Sequence, residues 1–360
     1  MRFSSVRSLV ALLAITFAAA CESSTGPTGP LDPAALQSDL AAARAAVNAP
    51  ASMSLGALGP MISNALADAG GSFGVAELPA ALLKDPNALI ERAALRARLT
   101  GGSGGASVIP QVALGKTFEF DTIADRYVAG LRTGAPANGV RFVLYAVDPV
   151  TDDLVFPLVE TGYADLTRTV TNQSITARVE AFASGLAPVK VLSYTVVVQG
   201  TFTNPTVFVA GFARNASDSL AFTLSSTFSL ANATIAVDWR TAVPTRGLST
   251  RVRLTVTGGE VPQIVIDGLL TGQGGHSVGM TGTIAAQGGT LLVKVNGNSF
   301  ATISVGGLLD NEPTILGANG QPLTPAEQAM LRQIVEWFEH SFDTYERLLA
   351  PAERLLDIVL

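Results

Sequence analysis

Residues 219–230 read SLAFTLSSTFSL, and the spacing within this stretch decides the fold class. Leu220, Phe222, Leu224, Phe228 and Leu230 fall on one face. Ser219, Ala221, Thr223, Ser225, Thr227 and Ser229 fall on the other. Successive Cβ atoms of an extended chain point to opposite sides of the pleat, so a period of two marks a strand with one buried and one solvated face.

The same alternation spreads in both directions. TIAVDWR (234–240) sets Ile235, Val237 and Trp239 opposite Ala236, Asp238 and Arg240. RVRLTVT (251–257) turns Val252, Leu254 and Val256 inward. Between such runs lie the turn signals DPVTDD, RNASD, TGGEVP, QGGT and NGNS. The pairs Gly288–Gly289 and Asn296–Gly297 suit tight hairpins, because Gly and Asn tolerate positive φ. Connections this short leave no room for crossover helices. Residues 116–307 are therefore expected to form an antiparallel meander of about a dozen to fifteen strands.

Helical sequence flanks this region. Asp32 and Pro33 place an N-cap and a first-turn proline ahead of an alanine-rich run, and Asp85 and Pro86 repeat the device in KDPNALIERAALRARL. SLGALGPMISNALADAGG between them is read as helix punctuated by Gly56, Gly59 and Pro60. The helical region spans 32–100, and a Gly-rich linker, 101–115, follows it. After a loop at 308–323, Thr324, Pro325 and Glu327 open a C-terminal helix, 324–360, with a capping box. Leu331, Ile334, Phe338, Phe342, Tyr345 and Leu349 recur there at steps of three and four, with Pro351 marking a kink or a second start. The expected class is mainly β with flanking helices (α+β). A long meander forms a curved sheet, half-barrel, barrel or sandwich, packed by the amphipathic C-terminal helix and the alanine-rich N-terminal helices.

The first 31 residues read as an address. Arg2 and Arg7 precede the apolar SLVALLAITFAAA, too short for a permanent span, and ESSTGPTGP follows Cys21, the single cysteine of the chain. This arrangement resembles the precursors of bacterial lipoproteins, whose leader ends in small residues directly before a cysteine that is acylated. Here Ala18, Ala19 and Ala20 precede Cys21, with Ala18 where those precursors more often carry Leu. The resemblance implies a signal peptide over 1–20, lipidation at Cys21 and a flexible tether over 21–31. Ordinary secretion, with Ala18 and Ala20 as an A-x-A cleavage site, is the competing reading. Glu22, in place of the Asp that retains some Gram-negative lipoproteins at the inner membrane, points to the outer membrane. The implied location is the cell envelope, membrane-anchored, with the side of the membrane open.

Composition narrows the function classes. A net charge of −6 without a basic cluster argues against nucleic acid, which needs grouped Lys and Arg against its phosphates. Ser103 sits in GGSGG, which matches G-x-S-x-G in form but lacks the preceding strand of a nucleophile elbow. His276 falls in the Gly-rich TGQGGHSVG. His340 lies near Glu336, Glu339 and Asp343 on the C-terminal helix, and two ligands on one helix do not make a metal site. Asp148, Asp152 and Asp153 crowd one turn, with Glu160 and Asp165 beyond it. They are the weak metal candidates, for Ca²⁺, and could also supply an acid–base pair. Asp-Pro and Thr-Asp-Asp are also ordinary turn chemistry. The sequons at Asn172, Asn215 and Asn232 are read as strand and turn residues.

No cofactor is expected. Three classes follow: a lipid-anchored envelope protein with a non-enzymatic binding or structural role, whose partner is an envelope protein; a carrier or chaperone of an apolar ligand in a half-barrel cavity; and a loop-carboxylate hydrolase. A membrane-spanning β-barrel is opposed by the Ser/Thr-rich polar faces and the helical C-terminus.

Overall fold

The structure, a computed structural model, describes residues 33–68, 109–201, 204–259, 262–306 and 314–356. The described helices are α1 (Pro33–Val47), α2 (Pro50–Asp68) and α3 (Pro325–Leu356). The strands are β1 (Thr117–Asp121), β2 (Arg126–Ala129), β3 (Gly139–Tyr145), β4 (Glu160–Val170), β5 (Ser174–Ala183), β6 (Val189–Thr201) and β7 (Asn204–Arg214). They continue with β8 (Ser219–Ser229), β9 (Thr234–Val243), β10 (Leu248–Thr257), β11 (Gln263–Thr271), β12 (Ser277–Ala285), β13 (Gly288–Val295), β14 (Asn298–Val305) and β15 (Thr314–Gly317).

All fifteen strands belong to one sheet, in the order β15 down to β3 and then β1 and β2. From β3 to β15, neighbours in sequence are neighbours in the sheet, which is the meander the alternating pattern predicts. The exception is at one edge. β1 pairs antiparallel with β2 but parallel with β3, at Thr117↔Arg141 and Phe118↔Phe142. The order is linear, and the sheet does not close into a barrel. Both edge strands have four residues, which limits the row of unpaired backbone groups they present. β15 lies inside the 308–323 segment expected as loop; TILG is too short to display an alternation.

DPVTDD, RNASD and NGNS fall at the junctions of consecutive strands, whereas QGGT lies mostly within β13. In β12–β13 the tight turn is Ala286–Gln287, one step before the glycine pair, and Gly288 opens β13 at φ +132°. Asn296 and Gly297 form the β13–β14 turn with φ of +50° and +80°. Positive φ at both central residues twists the backbone in the sense of the flanking strands.

The described residues fall into two compact units. The first holds α2, β1–β7, the start of β8 and the last turns of α3. Its core face carries Val140, Phe142 and Leu144 of β3, Ala164 and Leu166 of β4, Val179 of β5, and Leu192, Tyr194 and Val196 of β6, all buried. Leu220 and Phe222 of the opening stretch are buried in it too. α2 runs against β2–β6 and buries Leu55, Leu58, Ile62 and Leu66. It is continuous through Pro60 despite the punctuation expected from its two glycines. The reason is packing: a Cβ on Gly59 would lie 2.6 Å from that of Ala350 in α3, so the glycine lets two helices approach. α3 is likewise one helix through Pro351, and buries Leu348, Leu349, Ala352, Leu355 and Leu356 here.

The second unit holds most of α1, the end of β8, β9–β15 and the first part of α3. Ile235, Trp239, Val243, Val252, Leu270, Val278, Val293 and Ile303 are buried, as are Met330, Leu331 and Ile334 of α3. α3 opens on the capping box: Glu327 N donates to Thr324 Oγ1 at 3.2 Å and Thr324 N to Glu327 Oε2 at 2.7 Å. The N-cap at Asp32, the Asp85–Pro86 helix and the Gly-rich linker lie outside the described residues, except that Pro110 precedes a short 3₁₀ turn, Gln111–Ala113.

Candidate functional site

The acidic candidates sit in the β3–β4 loop, closed by an isolated bridge between Val147 and Leu154. Asp148 N donates to the Asp153 carbonyl and Asp152 N to the Asp148 carbonyl, which tightens DPVTDD into a compact turn. Asp148 Oδ1 accepts Val150 N at 2.8 Å and Thr151 N at 3.1 Å. Asp152, at φ +61°, accepts Arg347 Nη1 of α3 on Oδ1 at 3.1 Å. Two of the three carboxylates therefore diverge, one toward its own backbone and one toward a helix. Among the described residues no group of three or more His, Cys, Asp and Glu side chains is disposed to hold a metal ion.

Glu160 and Asp165 are each joined to an arginine. Glu160 Oε2 accepts Arg132 Nη1 at 2.8 Å, and Asp165 receives a fork from Arg141, Nε at 2.7 Å and Nη2 at 2.8 Å. The fork belongs to a ladder on the face of β3–β6 opposite the core. The Arg141 guanidinium lies 3.8 Å from the Tyr163 ring centroid, and Tyr163 stacks on Phe182 at 4.8 Å. Lys190 lies 5.4 Å from the Phe182 centroid and binds Glu180, which also accepts Arg178 at 2.8 Å. Cations over ring faces and rings over rings use the aromatic surfaces up within the protein itself.

The outer face of the second unit carries a smaller charge group. On β9, Asp238 accepts both Arg251 and Arg240, while Arg253 bridges to Asp267 at 3.0 Å. The Arg251 and Arg240 forks hold the Asp238 carboxyl well below the usual carboxylate range.

The β1–β2 turn repeats the device seen at Asp148. Asp121 Oδ1 accepts Ile123 N at 2.8 Å and Ala124 N at 3.1 Å. Those two N–H groups draw its pKa down. In both turns the residue two after the aspartate is aliphatic and faces outward: Ile123 is 96% exposed and Val150 80%. Sequence reading did not single these residues out. Their only signature is an Asp-x-Ile/Val step between strands, DTIA and DPVT, too short to stand out without the fold.

Cys21 and Ser103 lie outside the described residues. His276 follows a 3₁₀ turn between β11 and β12, where its carbonyl accepts Gly272 N. Glu336, Glu339, His340 and Asp343 lie along α3. Asn215 Oδ1 caps the β7–β8 turn, accepting Ser217 N and Asp218 N at 2.8 Å each. Among the described residues no helix is long and apolar enough to cross a membrane.

No family model matches the chain, and neither a curated protein nor a solved structure does.

Proposed function

We propose that the chain is a bacterial envelope lipoprotein, acylated at Cys21 and held at the outer membrane, whose β-rich body serves a non-enzymatic binding or structural role. The observation that carries this reading is the leader: two arginines, a short apolar run, three alanines, the single cysteine and a Gly/Pro/Ser/Thr tether, in that order. Acylation gives that cysteine a role that neither an internal disulfide nor a metal pair can give it. The disposition of the acidic residues supports a structural use for them. Asp148 caps a turn, Asp152 ties a loop to α3, and Glu160 and Asp165 neutralise arginines.

The test is metabolic labelling with an alkyne palmitate analogue in cells making the unaltered chain or the Cys21→Ser variant. Label on the unaltered chain alone is the expected result. An unlabelled, freely secreted product from the unaltered chain would overturn the reading in favour of cleavage after Ala20.

A further inference from the structure

On the face of β5–β7 opposite the core, cations outnumber carboxylates. The antiparallel register sets Phe182 of β5 beside Lys190 of β6, Glu180 beside Ser193, and Ser193 beside Phe212 of β7. Arg178 lies two residues from Glu180, and Arg214 two from Phe212, so each shares its neighbour's face. Glu180 Oε1 accepts Arg178 Nη2 at 2.8 Å, the Lys190 ammonium, and Ser193 Oγ at 3.5 Å. Asp165, opposite Glu180 on β4, is already taken by the Arg141 fork. Arg214 meets no carboxylate among the described residues. Its Nε donates to the main-chain carbonyl of Lys190 at 2.6 Å, and its guanidinium carbon lies 5.9 Å from the Phe212 ring centroid. Among the described residues nothing bonds its Nη1 or Nη2. By contrast Arg132, Arg141, Arg178, Arg240, Arg251 and Arg253 each meet an aspartate or glutamate. Arg178, Lys190 and Arg214 therefore share one carboxylate, which leaves two positive charges in excess on a chain whose net charge is −6.

We propose that Arg214, Lys190 and Arg178 form a binding site for a phosphate monoester group. The guanidinium presents Nη1 and Nη2 as a planar pair of donors, the geometry that matches two oxygens of one anion. Its orientation is set before any ligand arrives, because Nε is fixed on the Lys190 carbonyl, and that lowers the ordering cost of binding. The Lys190 ammonium has three N–H donors and gives one to Glu180. Solvent reaches the group, since the Lys190 side chain is 32% exposed and that of Arg178 53%. The charge excess selects the occupant. A carboxylate brings one negative charge and leaves the group positive. A phosphate monoester carries about two near neutral pH, with three acceptor oxygens for the donors left on Arg214 and Lys190. The inference goes beyond the lipoprotein reading and uses no part of it.

The experiment uses the full chain carrying Cys21→Ser, so that no acyl group contributes. It is dialysed to equilibrium against radiolabelled inorganic phosphate at about pH 7.5 and low ionic strength. The expected result is saturable binding of one phosphate per chain, with acetate competing at least tenfold more weakly. Affinity should fall about tenfold in Arg214→Gln and in Lys190→Gln, and should not change in Arg240→Gln on β9 of the second unit. Arg214→Lys, which keeps the charge without the fork, should recover part of the loss. Urea midpoints identify the variants that fold, and either of the two glutamine variants suffices. Vesicles of phosphatidylcholine with and without phosphatidic acid separate the sources. Co-sedimentation that needs both phosphatidic acid and Arg214 assigns the phosphate to a lipid headgroup; phosphate binding without it assigns a soluble ligand. Failure of both probes to bind would overturn the inference, as would equal competition by acetate, full affinity in a folded Arg214→Gln or Lys190→Gln variant, or an equal loss in Arg240→Gln. Because Cys21 is replaced throughout, neither result bears on palmitate labelling.

Discussion

The hydroxyl of Tyr194 in β6 donates to the carbonyl of Leu348 in α3 at 2.6 Å, and the tyrosine is 1% exposed. The bond joins the core face of the sheet to the turn of the helix that precedes Pro351. Pro351, three residues further on, has no N–H, and its ring crowds the carbonyls of the preceding turn. The acceptor, Leu348, is next to Arg347, whose carbonyl is the one that Pro351 leaves without an intrahelical N–H. Tyr194→Phe keeps the ring and removes the donor, and is expected to cost about 1–2 kcal/mol, read as a lower urea midpoint with an unchanged slope.

The same residue sets an alkaline limit. Burial pushes the Tyr194 hydroxyl well above its usual pKa, and burial raises Tyr127 as well. The folded chain thus keeps protons that the unfolded chain releases above about pH 10. Stability is complete below that pH and falls above it, by about 1.4 kcal/mol per pH unit for each such tyrosine. Tyr194→Phe should make the fall shallower between pH 10 and 11.5. Parallel alkaline limbs for the two proteins would show that Tyr194 ionises freely in the folded state.

Gly59 tests the approach of α2 to α3. Helix propensity alone favours Gly59→Ala by about 1 kcal/mol. The contact favours the opposite outcome, because the added Cβ would meet Ala350 at 2.6 Å. Overpacking should prevail, with a net loss of about 1–3 kcal/mol. Combining it with Ala350→Gly should recover part of that loss, and a coupling energy near zero in the double-mutant cycle would dispose of the contact argument.

The Arg141–Asp165 fork is half-buried, with 19% and 15% of the two side chains exposed, and Arg141 also covers Tyr163. Arg141→Ala strips a fork and a ring contact at once and leaves a carboxylate without its cation. A loss of about 2–3 kcal/mol is expected. Arg141→Lys should recover less than half of it, since an ammonium cannot span both oxygens. A lysine variant as stable as the parent would reduce the interaction to simple charge.

What the sequence reveals is what local pattern encodes. The period of two in SLAFTLSSTFSL and the turn residues between strands specify an antiparallel meander, because each acts over a few residues. Thr324, Pro325 and Glu327 encode a helix start for the same reason. The parallel pairing of β1 with β3 is illegible, since it depends on how the segment after Ala129 returns across the sheet rather than on any periodicity. The continuity of α2 through Gly59 and Pro60 is hidden too, because its cause lies in α3, almost 300 residues away. The acidic turn could be read as a turn from Asp-Pro and Thr-Asp-Asp, whereas the partners of Asp152, Glu160 and Asp165 are set by tertiary structure.

On the other side of the pH range, Asp238 is the informative carboxylate. Arg251 and Arg240 hold its folded-state pKa far below the ordinary value near 3.8, so the contribution is present above about pH 4 and lost as pH falls below it. Asp238→Asn would leave Arg240, Arg251 and Arg253 facing one another with Asp267 as their one carboxylate in that group. Those arginine side chains are 56%, 33% and 47% exposed, so water and salt screen the repulsion. The cost at pH 7 and low salt should be about 1 kcal/mol, well short of what the shift alone would suggest, and smaller still in 1 M salt. Between pH 4 and pH 2 the variant should lose stability more slowly than the parent in urea titrations. An acid limb of unchanged steepness would mean that the forks seen around Asp238 do not persist in solution.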